Sequence, residues 1–221
     1  VDKSRPTTVK KRFWAGDKKL FQANQADNRY ISSATEKKII KEIEPFIKNI
    51  DVMVVLDAQH GLLSKELIAD LIKLSKKYGK PLYVDSQISH RPSNHDLYGG
   101  ADCLFFNQTE ARAVLAGFDA QDLKESLKLL KEKFKLSNVV MKLGERGSAA
   151  LFNGQFVQGH PYKVKAIDPC GAGDTFLAAF SLSDRDAAPE SLDVANTWAA
   201  LSTTILGTAP PKKQNLRKIY E

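Results

Sequence analysis

Apolar and polar residues alternate along the chain in blocks that predict strands and helices by turns. Short apolar runs, typical of strands buried in a parallel sheet, are separated by longer segments in which apolar residues recur at helical spacing. The predicted strands are residues 52–56, 81–84, 101–106 and 138–143, and the predicted helices are residues 35–49, 64–78, 109–115, 121–134, 176–180 and 191–206. This alternation predicts an α/β fold, a three-layer αβα sandwich with a mainly parallel sheet.

Two regions depart from this rhythm. Residues 8–14 and 19–23 are β-prone and flank a turn at residues 15–18, which predicts a polar hairpin at a sheet edge or in a small accessory sheet. Such a hairpin suits a β lid or a dimer contact, so a homodimer stays open. Residues 148–166 predict short antiparallel strands. The unbroken apolar run at residues 52–56 predicts a strand that is buried on both faces. The basic tail at residues 212–218 predicts a short or frayed helix.

Composition narrows the classes of partner. The net charge is +7, and residues 1–50 hold twelve Lys/Arg against six Asp/Glu. Such a basic stretch attracts phosphorylated small molecules or nucleic acid, and it is also typical of a solvated face. No nucleic-acid-binding motif supports the second partner, and no apolar run is long enough to span a membrane. Cys103 and Cys170 form no disulfide or metal spacing, and no secretory segment is visible, so we expect a cytoplasmic protein.

One stretch carries the clearest chemistry. Gly171, Ala172 and Gly173 precede an apolar run that predicts a helix, and the unpaired amides of a helix N-terminus favour an anion. Asp174 follows in the first turn. A carboxylate beside an anion site suits a general base that deprotonates a hydroxyl group attacking a phosphate. Acidic residues are also common in first helical turns because the helix dipole stabilises them.

The string Asp168-x-x-Gly171-Ala172-Gly173-Asp174-x-Phe176 resembles the signature of the ribokinase/PfkB carbohydrate kinases. The resemblance implies a ribokinase-like fold and ATP-dependent phosphorylation of a sugar hydroxyl. It implies that Asp174 is the catalytic base and that Gly171, Ala172 and Gly173 form the anion hole. Asp168 would help to hold a monovalent cation such as K⁺, although an Asp before a proline is also typical of a turn.

Other residues match the same family in order. Asn107-x-x-Glu110 resembles the motif that positions Mg²⁺ through water, and the same spacing is typical of a helix capping box. The resemblance also implies that a set of residues lines the ATP site. This set comprises Lys142, Gly144, Gly147, Asn196 and Gly207.

Within the family, the segment from Arg5 to Arg12 resembles the heptose-7-phosphate kinases. That likeness implies a sugar phosphate as substrate, heptose 7-phosphate phosphorylated at its anomeric position, with Arg5, Lys10, Arg12 and Asp57 as substrate-binding residues. Ala58 and His60 replace the usual Tyr and Lys of the loop after Asp57, and Asp85-Ser86-Gln87 departs from the usual Asp-Pro-Lys.

The family's first strands and its sugar-gripping Gly-Gly motif are not found. We therefore expect residues 1–221 to be one kinase domain without its N-terminal segment. Two alternatives remain. The chain could be a non-catalytic nucleotide- or sugar-binding fragment, or a kinase of the same fold that acts on a nucleoside or a vitamin precursor.

Overall fold

The described chain opens with a hairpin that forms a sheet of its own. The computed structural model describes residues 5–16, 18–88, 92–184 and 186–212. Strand β1 (Val9–Ala15) pairs antiparallel with β2 (Lys18–Gln25), and a register shift falls between Phe13 and Trp14. Phe13 stacks on Phe21 with ring centroids 4.3 Å apart. The predicted hairpin is confirmed, while Asp17 of its predicted turn lies outside the described residues.

The remaining strands form a single sheet whose spatial order follows the chain. They are β3 (Met53–Asp57), β4 (Leu82–Ser86), β5 (Cys103–Asn107), β6 (Asn138–Lys142), β7 (Ser148–Phe152) and β8 (Gln155–Gly159). Strands β3 to β6 pair in parallel, and β7 and β8 continue the sheet antiparallel. The mainly parallel sheet and its short antiparallel end are therefore as predicted.

Helices cover both faces of this sheet. They are α1 (Ser33–Ile43), α2 (Lys65–Tyr78), α3 (Gln108–Val114), α4 (Leu123–Phe134), α5 (Ala172–Ser181) and α6 (Ala188–Ser202), with 3-10 turns at Glu44–Asn49, His95–Tyr98 and Gly144–Arg146. The first four helices pack in one apolar core, and α5 and α6 pack in a second core on the opposite face. These two cores make the three-layer αβα sandwich that the pattern predicts.

Successive residues of the central strands serve the two cores in turn, because side chains alternate across a strand. Leu104 and Phe106 of β5 face the core of α2 and α4, while Cys103 and Phe105 face α5 and α6. All four of these side chains are fully buried. Burial on both faces explains why such strands read as unbroken apolar runs.

Two predictions need correction. Residues 35–49 do not form one α-helix: α1 ends at Ile43 and a 3-10 turn follows, with Pro45 in its first turn. Proline has no N–H group to continue the α-helical hydrogen bonds. Strand β3 is not buried on both faces, since Val54 and Leu56 are 44% and 41% exposed. The strand lies at the edge of the sheet, where α5 and α6 do not cover it.

Among the described helices, none combines the length and apolar character needed to cross a membrane. The predicted tail helix at 212–218 falls almost wholly outside the described residues, which end at Lys212.

Candidate active site

Parallel pairing brings four strand ends to one edge of the sheet. The carboxyl ends of β3 to β6 are Asp57, Ser86, Asn107 and Lys142. Ligands of open α/β sheets bind at this edge. The N-terminus of α5 faces the same edge, because a Cβ atom on Gly173 would lie 3.4 Å from the Lys142 Nζ.

Gly171 ends the loop that leads into α5. It is the N-cap residue and has a φ of 87°, a left-handed conformation that glycine adopts without strain. The first hydrogen bond of the helix runs from the Thr175 amide to the Gly171 carbonyl, at 2.9 Å. The Ala172 amide donates to the Pro169 carbonyl at 3.2 Å. The Ala172 amide of the predicted anion hole is thus used within the loop, while the role of Gly171 stays a prediction. The amides of Gly173 and Asp174 remain as first-turn donors that can bind an anion.

Asp174 lies in the first turn of α5 and is exposed to solvent. The packed atoms around it and the negative charge of Asp85 raise the pKa of its carboxyl group, while Lys142 and Lys10 act in the opposite direction. A carboxylate with a raised pKa is a stronger base than an ordinary aspartate, and the two lysines favour its ionised form.

Lys142 and Asp85 form a buried ion pair beneath the start of α5. The Lys142 Nζ contacts the Asp85 Oδ2, and the two side chains are 14% and 5% exposed. Asp85 lies on β4 and Lys142 on β6, so the lysine reaches across the end of β5. The sequence predicts Lys142 beside the nucleotide. In the structure its ammonium group binds the Asp85 carboxylate, and its role beside the nucleotide stays a prediction.

Asn107 and Glu110 form the complete capping box of α3. The Asn107 amide donates to the Glu110 Oε2 at 2.7 Å, and the Glu110 amide donates to the Asn107 Oδ1 at 2.9 Å. Burial raises the pKa of Glu110 to about 7, against the opposing charge of Lys142 and the hydrogen bond from Asn107. The capping alternative is therefore realised, and the buried carboxyl group still lies within the influence of Lys142 and Asp85.

The family resemblance of the sequence implies a divalent cation, so the donor set must suit one. Hard cations bind oxygen ligands and Mg²⁺ keeps several waters. Within the described chain no group of three His, Cys, Asp or Glu residues is arranged to hold a metal ion directly. The Asp85 Oδ1 is buried and has no hydrogen-bond partner among these residues. Asp85 and Glu110 thus fit a cation that is held through its water molecules.

The hairpin reaches the same site with two basic residues of β1. Lys10 acts electrostatically on Asp174. The Arg12 Nη2 donates to the Cys170 Sγ at 2.8 Å, which ties the hairpin to the loop before α5. The Arg12 Nε is buried without an acceptor in the described part of the chain. Both residues are thus placed where an anionic ligand of α5 would lie.

Three predicted ligand-binding residues are engaged within the protein. Asp57 is 3% exposed and accepts hydrogen bonds from the Gln59 amide, the Asn94 side chain and the Tyr98 hydroxyl. Arg5 donates to the backbone carbonyls of Arg29 and His60.

Asn196 is 7% exposed and donates to the His160 carbonyl at 3.0 Å. Asp57, Arg5 and Asn196 therefore hold neighbouring segments together.

Asp168 links the loop before α5 to the loop after α6. Its carboxylate is fully buried and accepts the Cys170 amide at 3.0 Å and the Gly207 amide at 3.2 Å. Both oxygens are therefore already bound to N–H groups. The use of Asp168 as a ligand of a monovalent cation stays a prediction, and we derive no step that uses one. The amide of Gly207, predicted near the nucleotide, is used in the same linkage.

The predicted nucleotide loop follows β6. Gly144 and Gly147 have φ values of 64° and 83°, and the Leu143 amide donates to the Gly147 carbonyl at 2.8 Å. The Arg146 Nη2 binds the Gln108 Oε1 at 2.9 Å, so this turn lies against the start of α3. A groove of about 510 Å³ lies between α5 and α6, with Asp174 in its lining, and Val194 and Trp198 contribute to its apolar wall.

Asp85 is not among the site residues that the sequence predicts. A signal was present, since Asp85 comes at the end of a predicted buried strand, where polar side chains meet a ligand. Its partner could not be read from the sequence, because Lys142 is 57 residues away along the chain.

Solved structures share this fold. Ribokinase from Giardia lamblia superposes with a TM-score of 0.75 over 97% of this chain and 71% of its own, at 17% identity. Phosphofructokinase-2 from Escherichia coli, solved in complex with potassium, gives a TM-score of 0.70 over 92% of this chain and 65% of its own, at 19% identity. Likeness at these identities shows a common fold.

Sequence relatives give the family. The bifunctional protein HldE of Campylobacter fetus is 34% identical over 77% of this chain and 37% of its own length. HldE of Bradyrhizobium diazoefficiens is 31% identical over 98% of this chain and 44% of its own length. The chain thus spans less than half of these curated relatives. The model of the pfkB family carbohydrate kinases matches residues 1–215, and the chain belongs to this family of phosphotransferases that act on sugar hydroxyl groups.

Proposed function

We propose that this chain transfers the γ-phosphoryl group of ATP to a hydroxyl group of a sugar phosphate, namely the anomeric hydroxyl of heptose 7-phosphate. The observation that carries the proposal is the position of Asp174, a base of raised pKa in the first turn of α5, beside outward-facing amides and two lysines. Phosphoryl transfer needs a base for the attacking hydroxyl and positive charge around the transferred group.

Asp174 accepts the proton of the attacking hydroxyl group in this proposal. The amides of Gly173 and Asp174 donate to the transferred phosphoryl group, and the positive end of the α5 dipole adds to their effect. Lys142 stands beneath the same turn. A divalent cation, when bound through Asp85 and Glu110, would neutralise phosphate charge.

The hairpin supports a phosphorylated acceptor. Lys10 and Arg12 approach the start of α5 from β1, and the unpartnered Arg12 Nε offers a donor to a phosphate oxygen. Binding there would leave the hairpin over the substrate as a lid. Arg5 and Asp57 are not needed for this contact, since both bind within the chain. The HldE relatives and the sequence likeness to heptose-7-phosphate kinases support heptose 7-phosphate as the acceptor.

The test compares ADP release from ATP by the wild-type chain and by Asp174→Asn, with D-glycero-D-manno-heptose 7-phosphate as acceptor. We expect acceptor-dependent release that falls by about 10²–10⁴-fold in the variant, the usual contribution of a general base. Asn fills the same space and keeps the first turn, so binding of ATP should persist. Asp70→Asn, on the exposed side of α2, is the matched control and should keep full activity.

Full activity of Asp174→Asn would refute the assigned base. No release by the wild-type chain, with ATP binding intact, would instead favour the non-catalytic alternative. Release with a nucleoside or a hydroxymethylpyrimidine, and none with the heptose phosphate, would move the acceptor to the other kinase class.

A further inference from the structure

The most unusual feature of the site is the lysine among its carboxylates. The Lys142 ammonium binds Asp85 and acts electrostatically on both Glu110 and Asp174. These three acids come from β4, α3 and α5, so the Lys142 ammonium group on β6 contacts or faces side chains from three other elements. Burial of Asp85 and Glu110 makes the repulsion between these two carboxylates strong, because screening by water is weak there.

Asp85 shows that the site is built to receive positive charge. It is 4% exposed, and its Oδ1 lacks a hydrogen-bond partner in the described chain, although its Oδ2 binds Lys142. A buried carboxylate with one unpartnered oxygen is costly unless a cation or a water molecule compensates it. In this structure Lys142 supplies the compensating charge.

We propose that Lys142 is the resident counter-ion of this site and that it keeps a divalent cation from binding before a nucleotide is present. The proposal rests on the proposed function, in which a divalent cation takes part. A tethered ammonium and a divalent cation are attracted by the same carboxylates and repel each other. Removal of the ammonium should therefore make the nucleotide-free chain bind the metal more tightly.

The experiment measures Mn²⁺ binding to the whole nucleotide-free chain by electron paramagnetic resonance of the free ion. We expect Lys142→Met to bind Mn²⁺ at least about tenfold more tightly than the wild type, which corresponds to about 1.4 kcal/mol. Lys142→Arg keeps the charge and should remain close to the wild type. The double variant Asp85→Asn/Lys142→Met should lose the gain, because the carboxylate that attracts the metal is gone.

Lys128→Met is the matched control. Lys128 lies near Glu125 on the exposed side of α4, at 3.8 Å, so its removal also leaves a glutamate without its lysine. Its Mn²⁺ affinity should equal that of the wild type. Thermal unfolding with and without MgCl₂ provides a second measurement, in which the metal should stabilise Lys142→Met more than the wild type.

Equal Mn²⁺ affinity of the wild type and Lys142→Met would overturn the proposal, and so would a Lys142→Met chain that stays unfolded in MgCl₂. These outcomes do not depend on catalysis. A wild-type chain that transfers no phosphoryl group would contradict the proposed function and leave the metal titrations as a separate result.

Discussion

His95 is a buried titratable side chain that the candidate site does not use. It is fully buried, and its ring stacks on Phe106 with centroids 5.0 Å apart. Its Nδ1 lies 2.7 Å from the Ser93 Oγ. Burial lowers the pKa of His95, and the negative charges of Asp85, Asp57 and Asp96 offset only part of this effect. The folded chain therefore holds the imidazole in its neutral form.

This burial predicts a loss of stability in acid. The unfolded chain takes up a proton at His95 near pH 6.5, whereas the folded chain resists it to lower pH. The contribution of His95 to the free energy of unfolding should thus be complete above pH 6.5 and should decline as the pH falls towards the lowered pKa. Urea titrations between pH 7.5 and about 5 measure this decline in the free energy of unfolding. His95→Phe keeps the stacking and should show a smaller decline, and an identical decline would contradict the assignment.

Individual side chains were the hardest features to predict. The sequence located Asp174 and the glycines before it because a short motif brings its own local geometry. It could not show that Asp57 is saturated by Asn94 and Tyr98, since these partners come from a distant 3-10 turn and the residue before it. The same holds for the pairing of Asp85 with Lys142. A polar residue at a strand end is drawn either to a ligand or to a neighbouring segment, and only tertiary structure decides.

Among the elements, α3 carries a carboxyl group that serves both its own N-terminus and the site. Glu110 is 5% exposed and completes the capping box with Asn107. Burial holds its pKa at about 7, above the ordinary value of 4.5. In the folded chain this carboxyl group therefore binds a proton more tightly than in the unfolded chain, so its ionisation opposes folding as the pH rises.

Between acid pH and pH 8, the free energy of unfolding should fall less for Glu110→Gln than for the wild type. The rise in pKa from 4.5 to about 7 corresponds to roughly 3 kcal/mol at about 1.4 kcal/mol per pKa unit, as an upper limit. Gln can still accept the Asn107 amide, so the cap is kept. Denaturant unfolding at pH 5 and pH 8 measures the difference. Glu132→Gln, exposed on α4, is the control. Parallel pH dependence of Glu110→Gln and the wild type would contradict the prediction.

Elements were easier to predict than side chains, because each is dictated by its own stretch of sequence. Ser64 marks the start of α2 and caps it by accepting the Leu67 amide at 3.1 Å. The end of α1 was missed because apolar spacing continues past Glu44, while Pro45 changes the hydrogen-bonding pattern. The exposure of one face of β3 was missed because an apolar run does not show whether a helix covers the strand.

For the molecule as a whole, the two apolar cores extend unequally over the sheet. The core of α1 to α4 reaches Met53 and Val55 of β3. The core of α5 and α6 reaches Tyr83 of β4 but leaves Val54 and Leu56 of β3 exposed. Strand β3 is also an edge strand of the described sheet. An exposed apolar face on an edge strand favours association between chains.

Replacing Val54 and Leu56 by threonine should therefore reduce self-association and leave the fold intact. Threonine suits a strand, and neither side chain is buried, so the free energy of unfolding should change by no more than about 1 kcal/mol. The protein concentration at which light scattering begins to rise should increase. Val55→Thr is the matched control, since this neighbouring side chain is 8% exposed and faces the core of α1 to α4.

Burying a hydroxyl group at position 55 should destabilise the chain by about 1–3 kcal/mol without raising the scattering threshold. An unchanged threshold in the Val54/Leu56 variant would show that this face does not drive association. A large loss of stability in that variant would show instead that the face is covered in solution. The two measurements together therefore separate a bare sheet edge from one that another surface already occupies.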